Sequence, residues 1–276
     1  SATFPEQINW IAGKVLRNPV NVKVDGTESH ASIKQAFYHV DDHDHKLEAM
    51  RALLLAHQPE SCVVFCNTKQ GTFDVTDYLT SYGFSAVVLN GDLEQKQRDQ
   101  TLVRFANKSV SILVATDVAA RGLDIDKLDA VINFDLAHDP DTHVHRVGRT
   151  GRAGAQGIAC SLYQAKDSHK LVDIEDYQKI SIEESSLPAL KQDQEAYQPT
   201  MATLRIDGGK KQKVRPGDIL GALTGKGGIS GQEVGKINVF DYCAYVAVDK
   251  TVAKDALHKL EKGKLKGKVF RVWRVR

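Results

Sequence analysis

Between residues 32 and 162, short apolar runs alternate with amphipathic stretches. Residues 33–40, 62–66, 86–89, 110–115, 130–135 and 157–163 read as strands, several apolar on both faces. The intervening residues 44–57, 70–82 and 94–105 carry helical spacing, the second stopping at Gly83. Strands alternating with helices of this length predict a parallel sheet with helices on both faces. Ligands of such sheets gather beyond the carboxyl ends of the strands. Function is therefore expected just after Cys66, Leu89, Ala115 and Asp135. Residues 173–198 turn polar and acidic and read as a linker holding one short helix.

A second pattern follows. Residues 202–207 read as a strand and 216–223 as a helix opened by Pro216. Residues 233–240 and 243–249 form a hairpin across Asp241-Tyr242, and Thr251 is placed as the cap of a helix ending near Lys262. Residues 269–275 alternate as a last strand. The order βαββαβ in a short domain is that of an RNA recognition motif.

Charge sharpens this division. The net charge of +2 conceals 17 Lys and Arg against 7 Asp and Glu in residues 201–276, whereas residues 1–200 carry 20 against 28. A basic module joined to an acidic one points to a polyanionic partner for the tail. The apolar runs fall well short of a membrane span, so no membrane partner is expected. Cys62, Cys66, Cys160 and Cys243 have no C-x-x-C spacing and read as free thiols of a reducing compartment, hence a cytoplasmic location. His39, His43 and His45 lie among Asp41, Asp42 and Asp44, but their spacing fits no closed site and no metal is assigned; Asp44 is placed as a helix cap.

The most specific chemistry lies in His145-Arg146-Val147-Gly148-Arg149-Thr150-Gly151-Arg152-Ala153-Gly154. Arginines recur every third residue, and the glycines let backbone turn closely around a phosphate. Arg149 and Arg152 can converge on one anion, each with a planar fork of donors. In Val114-Ala115-Thr116-Asp117-Val118-Ala119-Ala120-Arg121-Gly122-Leu123-Asp124-Ile125, a buried strand ends where a helix begins, an arrangement suited to phosphate. Thr116 adds a hydroxyl, and Asp124 can accept from a ribose. Asp117 reads as a helix cap or as the ion-pair partner of Arg146.

These two segments resemble motifs V and VI of the DEAD-box RNA helicases. Ser1-Ala2-Thr3 is similar to motif III, Val63-Val64-Phe65-Cys66-Asn67-Thr68-Lys69 to motif IV, Asn90-Gly91-Asp92 with Gln95 and Arg98 to motif IVa, and Val131-Ile132-Asn133-Phe134-Asp135 to motif Va. The resemblance implies a RecA-like fold over residues 33–172, preceded by the end of an N-terminal lobe (1–24) and an interlobe linker (25–32), and followed by a linker (173–200) and an RRM-like α+β domain (201–276). It implies that Arg149 and Arg152 reach the γ-phosphate of ATP and that His145 couples the two lobes. Gly122 and Asp124 would touch the nucleotide, and Thr68, Gly91, Arg98 and Thr116 would hold RNA phosphates. The G-x-x-x-x-G-K-T and D-E-A-D motifs, which hold ATP and Mg²⁺, do not occur. The chain, which opens without Met, is thus read as part of a longer helicase, its partner being the N-terminal lobe, and as inactive alone. The alternative is a non-catalytic RNA-binding protein; a DNA-directed relative is a third reading.

In the tail, residues 201–211, 215–225 and 263–268 resemble the C-terminal domain of one bacterial branch of the family. That resemblance implies binding to a stem-loop of 23S ribosomal RNA and a role in assembling the large ribosomal subunit. The first tail strand has no aromatic, and Cys243 stands where an aromatic is expected, so loops are assigned more of the RNA binding. The candidates are Lys210, Lys211, Lys213 and Arg215, then Lys264, Lys266, Lys268, Arg271 and Arg274. Tyr245 keeps one stacking position; it and Trp273 can equally be core.

Overall fold

The computed structural model describes residues 13–15, 33–120, 128–151, 156–190 and 193–275. Its first sheet contains β1 (Ile33–His39), β2 (Cys62–Phe65), β3 (Ala86–Leu89), β4 (Ile112–Ala115), β5 (Ala130–Asn133) and β6 (Gly157–Tyr163), ordered β1-β6-β5-β2-β4-β3 and parallel throughout. The central strands read CVVF, ILVA and AVIN, and each is buried at every position. Continuous Val, Ile and Leu runs suit strands covered on both faces.

Helices α1 (His43–His57), α2 (Lys69–Ser81), α3 (Gln95–Ala106), α4 (Asp117–Ala120), α5 (Pro140–Val147) and α6 (Ser168–Gln178) lie among these strands. Their starts follow local chemistry. The cap of α1 is Asp42, which accepts from the His45 N–H at 2.8 Å, not Asp44, which lies inside the first turn. Asp41, next to it, pairs with His45 at 3.2 Å. Thr68 caps α2, Glu94 and Gln97 open α3, and Asp139 followed by Pro140 opens α5. After α2 the chain turns at Gly83, whose φ of +79° lies in the left-handed region that favours glycine.

The acidic stretch read as a linker is a pinned strap. Its first residues complete α6; beyond that helix Ser185 N–H donates to the Phe37 carbonyl at 2.8 Å, alongside the edge strand β1. Tyr163 Oη donates to Glu184 at 3.2 Å, Gln58 donates to the Glu195 carbonyl at 2.9 Å, and Leu187 and Ala196 pack on the core. An exposed edge strand is a template for unwanted pairing, and the strap covers this one.

The second sheet, β7 (Met201–Ile206), β8 (Val234–Val239), β9 (Ala244–Asp249) and β10 (Val272–Arg274), is antiparallel in the order β10-β7-β9-β8. Helices α7 (Pro216–Thr224) and α8 (Ala253–Lys262) cover one face, burying Leu204, Ile206, Ile219, Leu223, Val246 and Leu260. The cap ahead of α8 is Asp249, which accepts from both the N–H and hydroxyl of Thr251; a 3-10 turn, Lys250–Val252, then leads into the helix. The reading of Thr251 as cap fails because Asp249, two residues earlier, supplies the carboxylate that takes those donors.

The other face of this sheet packs on α3. Val103 joins Tyr245 and Val275 in a buried cluster edged by Phe240 and Cys243. Thr203 Oγ1 accepts from Asn107 at 3.2 Å and lies 2.7 Å from Ser109 Oγ. Cys62, Cys66 and Cys160 are buried, and all four cysteines are free. No described helix is long and apolar enough to cross a membrane.

One glycine ties the first sheet to the arginine-rich loop. A Cβ at Gly157 would stand 2.3 Å from Gly151 N and 2.4 Å from Thr150 Oγ1. Gly157→Ala should therefore push that loop off the sheet and destabilise the protein by about 1–3 kcal/mol, the usual cost of overpacking. Urea denaturation followed by circular dichroism measures this; an unchanged midpoint would show that the loop shifts freely.

Candidate nucleotide and RNA site

The strand order places the ends of β5, β2, β4 and β3 side by side, so the segments after them share one rim. One side chain organises it. Arg146, on α5, is 2% exposed and uses its whole donor fork. Nε and Nη2 donate to the two oxygens of Asp117 at 2.6 and 2.7 Å. Nη1 donates to the Asp135 carbonyl at 2.6 Å, and Nη2 also to Asn67 Oδ1 at 2.9 Å. The guanidinium lies 5.0 Å from the centre of the Phe65 ring. Of the two readings of Asp117, the ion pair is the one observed.

A second anchor was not singled out from the sequence. Lys46 Nζ, on a residue 6% exposed, lies 2.7 Å from Asp135 Oδ1, while Asp135 Oδ2 accepts from Asn67 N–H at 3.0 Å. Burial by itself would raise the Asp135 carboxyl; the Lys46 ammonium, this N–H and Arg146 outweigh it and hold the group below its ordinary value. The signal in the sequence was the position of Asn67 and Asp135 just past strands. Nothing local showed that Lys46, on α1, reaches them.

The other candidate residues divide between this rim and the segment ahead of β5. Arg149 follows α5, half-buried, its carbonyl accepting from Leu128 N–H at 3.1 Å. The Thr150 hydroxyl, buried beside it, donates to the Leu128 carbonyl. His145 is part-exposed with Nδ1 3.3 Å from Asp141. Thr68 is exposed at the start of α2, with its hydroxyl accepting from Gly71 N–H at 3.0 Å. Gly91 is exposed after β3 beside the Lys69–Asp92 ion pair. Arg98 Nη2 donates to the Ala119 carbonyl at 2.7 Å, tying α3 to the short helix after Thr116. Gly122, Asp124 and Arg152 lie outside the described residues, as do Ser1-Ala2-Thr3 and residues 25–32. The strand ends thus place Thr68, Gly91 and Thr116 on one rim, with Arg98 tied to it through Ala119 and the buried Arg146 behind them, whereas the Arg149 backbone is held by Leu128, ahead of β5.

The tail candidates lie in the second domain. Lys210, Lys211, Lys213, Arg215, Lys264, Lys266, Lys268, Arg271 and Arg274 are all exposed. Lys210 and Lys211 N–H groups donate to the Phe240 and Asp241 carbonyls at 2.8 and 2.9 Å, which fastens the first basic loop to the β8–β9 turn. Lys266 is already engaged, 3.1 Å from Asp218 Oδ1. Arg271 lies over the Trp273 ring at 5.3 Å. Tyr245 does not stand as an open stacking platform. It is 1% exposed, packed at the seam with α3, with Arg205 over its ring at 5.6 Å, and burial pushes its phenol up to about 12. The helicase-side helix occupies the face on which a base would otherwise stack.

With this geometry in view, comparison with known proteins is direct. Residues 45–154 match the helicase conserved C-terminal domain, and residues 203–274 match the DbpA RNA binding domain. A solved chain of the Escherichia coli DEAD-box protein SrmB, bound to regulator of ribonuclease activity A, superposes with a TM-score of 0.54 at 34% identity, covering 58% of this chain and 96% of that one. Saccharomyces cerevisiae Dbp5 bound to RNA and ADP BeF3 gives 0.59 at 30% identity, covering 67% of this chain and 50% of that one. The chain belongs to the DEAD-box family of RNA helicases, as a RecA-like C-terminal lobe joined to a small antiparallel-sheet domain.

Within that family it is similar to DbpA. It is 50% identical over 272 residues to the ATP-dependent RNA helicase DbpA of Escherichia coli K12, covering 99% of this chain and 59% of that protein's length.

Two outcomes test the rim. Arg146→Met leaves the Asp117 carboxylate without its partner and should cost about 3 kcal/mol or more in urea denaturation; a loss below ~1 kcal/mol would show that the fork is dispensable. The second concerns His143, which is fully buried, stacked on Phe37 and 3.2 Å from Gln35. Burial, with Arg146 nearby, lowers its pKa to about 4. Between pH 6.5 and about 4 the unfolded chain takes a proton that the folded one refuses. This contribution is therefore intact above pH 6.5 and falls with pH across that window, by at most ~1.4 kcal/mol per unit. Urea midpoints at pH 7, 5.5 and 4.5 should fall less steeply for His143→Gln; equal slopes would refute the assignment.

Proposed function

We propose that the chain is the C-terminal part of an ATP-dependent RNA helicase whose tail selects ribosomal RNA of the large subunit. The observation that carries this is the rim, where the candidate RNA-binding residues Thr68 and Thr116 flank Asn67 and Asp117, the partners of one buried arginine, with Gly91 and Arg98 beside them and Arg149 three residues after that arginine in the chain. The solved Dbp5 relative, bound to RNA and ADP BeF3, supports reading such a rim as a surface shared by RNA and nucleotide.

In this reading ATP is the substrate. Arg149 and Arg152 stabilise charge on the transferring phosphoryl group, a contribution that elsewhere reaches roughly 10³–10⁵ in rate. Asp124 and Gly122 contact the nucleotide. Mg²⁺ and the phosphate-cradling backbone belong to the G-x-x-x-x-G-K-T and D-E-A-D motifs, which this sequence does not contain. The residues present supply arginines and an RNA track to a second lobe, so this chain by itself does not turn over ATP. Closure of two lobes grips one RNA strand, and release follows hydrolysis.

The tail contributes address. With its sheet face packed on α3, its RNA contacts come from the basic loops at 210–215 and 264–268. The substrate is a 23S ribosomal RNA stem-loop, and the process is maturation of the large ribosomal subunit in the cytoplasm. The full chain should bind that stem-loop at least about tenfold tighter than a scrambled hairpin of equal length, with the preference persisting at higher salt. Lys264→Ala with Lys268→Ala should flatten the salt dependence by about two phosphate contacts. Equal, steeply salt-dependent binding to both hairpins would reduce the tail to phosphate attraction and remove the ribosomal assignment.

A further inference from the structure

A cavity of about 620 Å³ lies in the seam between the two domains, within the range of small-ligand pockets. One wall is the first turns of α3, with Gln95, Lys96 and Asp99; the other is the tail sheet and its β8–β9 turn, with Arg205, Lys210, Phe240, Tyr242 and Tyr245 among its residues. The two walls come from different domains, so neither domain forms the cavity alone.

Its chemistry is that of a nucleobase site. Phe240 and Tyr245 meet edge to face at 5.8 Å, and Tyr242, 70% exposed, stands at the same cavity. Unstacked bases are held on such rings and read along their polar edges. Arg205 is 9% exposed, and its Nε has no hydrogen-bond partner among the described residues; its nearest carboxylate, Asp207, is 3.6 Å away. A buried donor without an acceptor is costly unless a ligand supplies one. The exposed Lys96 and Lys210 suit a phosphate at the rim, and the exposed Asp241 suits the amine of a base edge. Asp99 is occupied by Gln95 at 2.7 Å.

Position completes the case. Arg98 reaches Ala119 on the strand-end rim, whereas Gln95, Lys96 and Asp99 on the same helix line the seam. The cavity therefore adjoins the rim through α3. We propose that the seam is a binding site for one unpaired RNA nucleotide, its base stacked on Tyr242 and Phe240 and its exocyclic amine held by Asp241. Cytosine, adenine and guanine satisfy that contact; uracil, lacking the amine, does not. The site rests on the reading of this chain as an RNA-binding protein. Because its walls belong to different domains, an occupied site also holds the tail against the helicase lobe.

The test uses the full chain and single-stranded octaribonucleotides, A8, C8 and U8, together with an A8 carrying one central 2-aminopurine. Anisotropy reports binding and 2-aminopurine fluorescence reports stacking. The expected result is quenching that falls at least twofold at saturation in Tyr242→Ala and returns in Tyr242→Phe. A preference of roughly fivefold or more for A8 and C8 over U8 should disappear in Asp241→Asn. Lys264→Ala with Lys268→Ala should weaken binding while leaving the quenching per complex unchanged. Binding whose quenching ignores Tyr242, or that shows no preference dependent on Asp241, overturns the seam site and leaves the RNA-binding reading intact. No binding of any octamer by the wild-type chain overturns both.

Discussion

A buried guanidinium holds the functional end of the helicase lobe together. Arg146 brings one positive charge into an interior where an unpaired ion would be costly, and the surrounding chain answers with the Asp117 carboxylate, the Asp135 carbonyl and the Asn67 amide oxygen. Those groups lie after three different strands, β4, β5 and β2, so satisfying one side chain sets the relative positions of three strand ends. Lysine could not replace it: an ammonium is a point donor without the planar fork that reaches both oxygens of Asp117 while still serving two other partners. Lys46 reinforces the same set from the α1 side through Asp135. Thr68 and Thr116, each next to one of Arg146's partners, inherit their placement from this buried layer.

The tail is constrained by a different economy of surface. A four-stranded sheet with helices on one face has a second face to cover, and here α3 covers it through Val103, with Tyr245 and Val275 from the tail. A stacking surface and an interdomain contact cannot occupy the same face. That leaves the loops and the margin of the seam, where Tyr242 is exposed, as the open surface of the tail. The strap formed by the acidic stretch has the same consequence: pinned along β1 and the ends of α1 and α2, it limits where the tail can sit.

The repeating alternation of apolar runs and helical spacing determined the parallel sheet, because strands buried on both faces must be apolar at every position. The glycine-phased arginines and the Thr-Asp strand end pointed to phosphate chemistry, and the fold commits one residue of each, Arg146 and Asp117, to a buried ion pair. The charge division separated the two domains. Caps were less legible: Asp42 and Asp249 won over Asp44 and Thr251 because several polar residues compete near each helix start, and only backbone geometry selects one.

Tertiary structure alone decided which polar groups became neighbours. No spacing rule connects Lys46 with Asp135, 89 positions apart, or Thr203 with Asn107 and Ser109. The sequence left Tyr245 open between stacking and core; packing on α3 made it core. It read the acidic stretch by composition as a linker, yet its backbone donors and carbonyls found partners along the lobe. Local pattern determines which face of an element is apolar. Only the closed fold determines what that face meets, because desolvation and pairing are settled by atoms that the chain brings together from far apart.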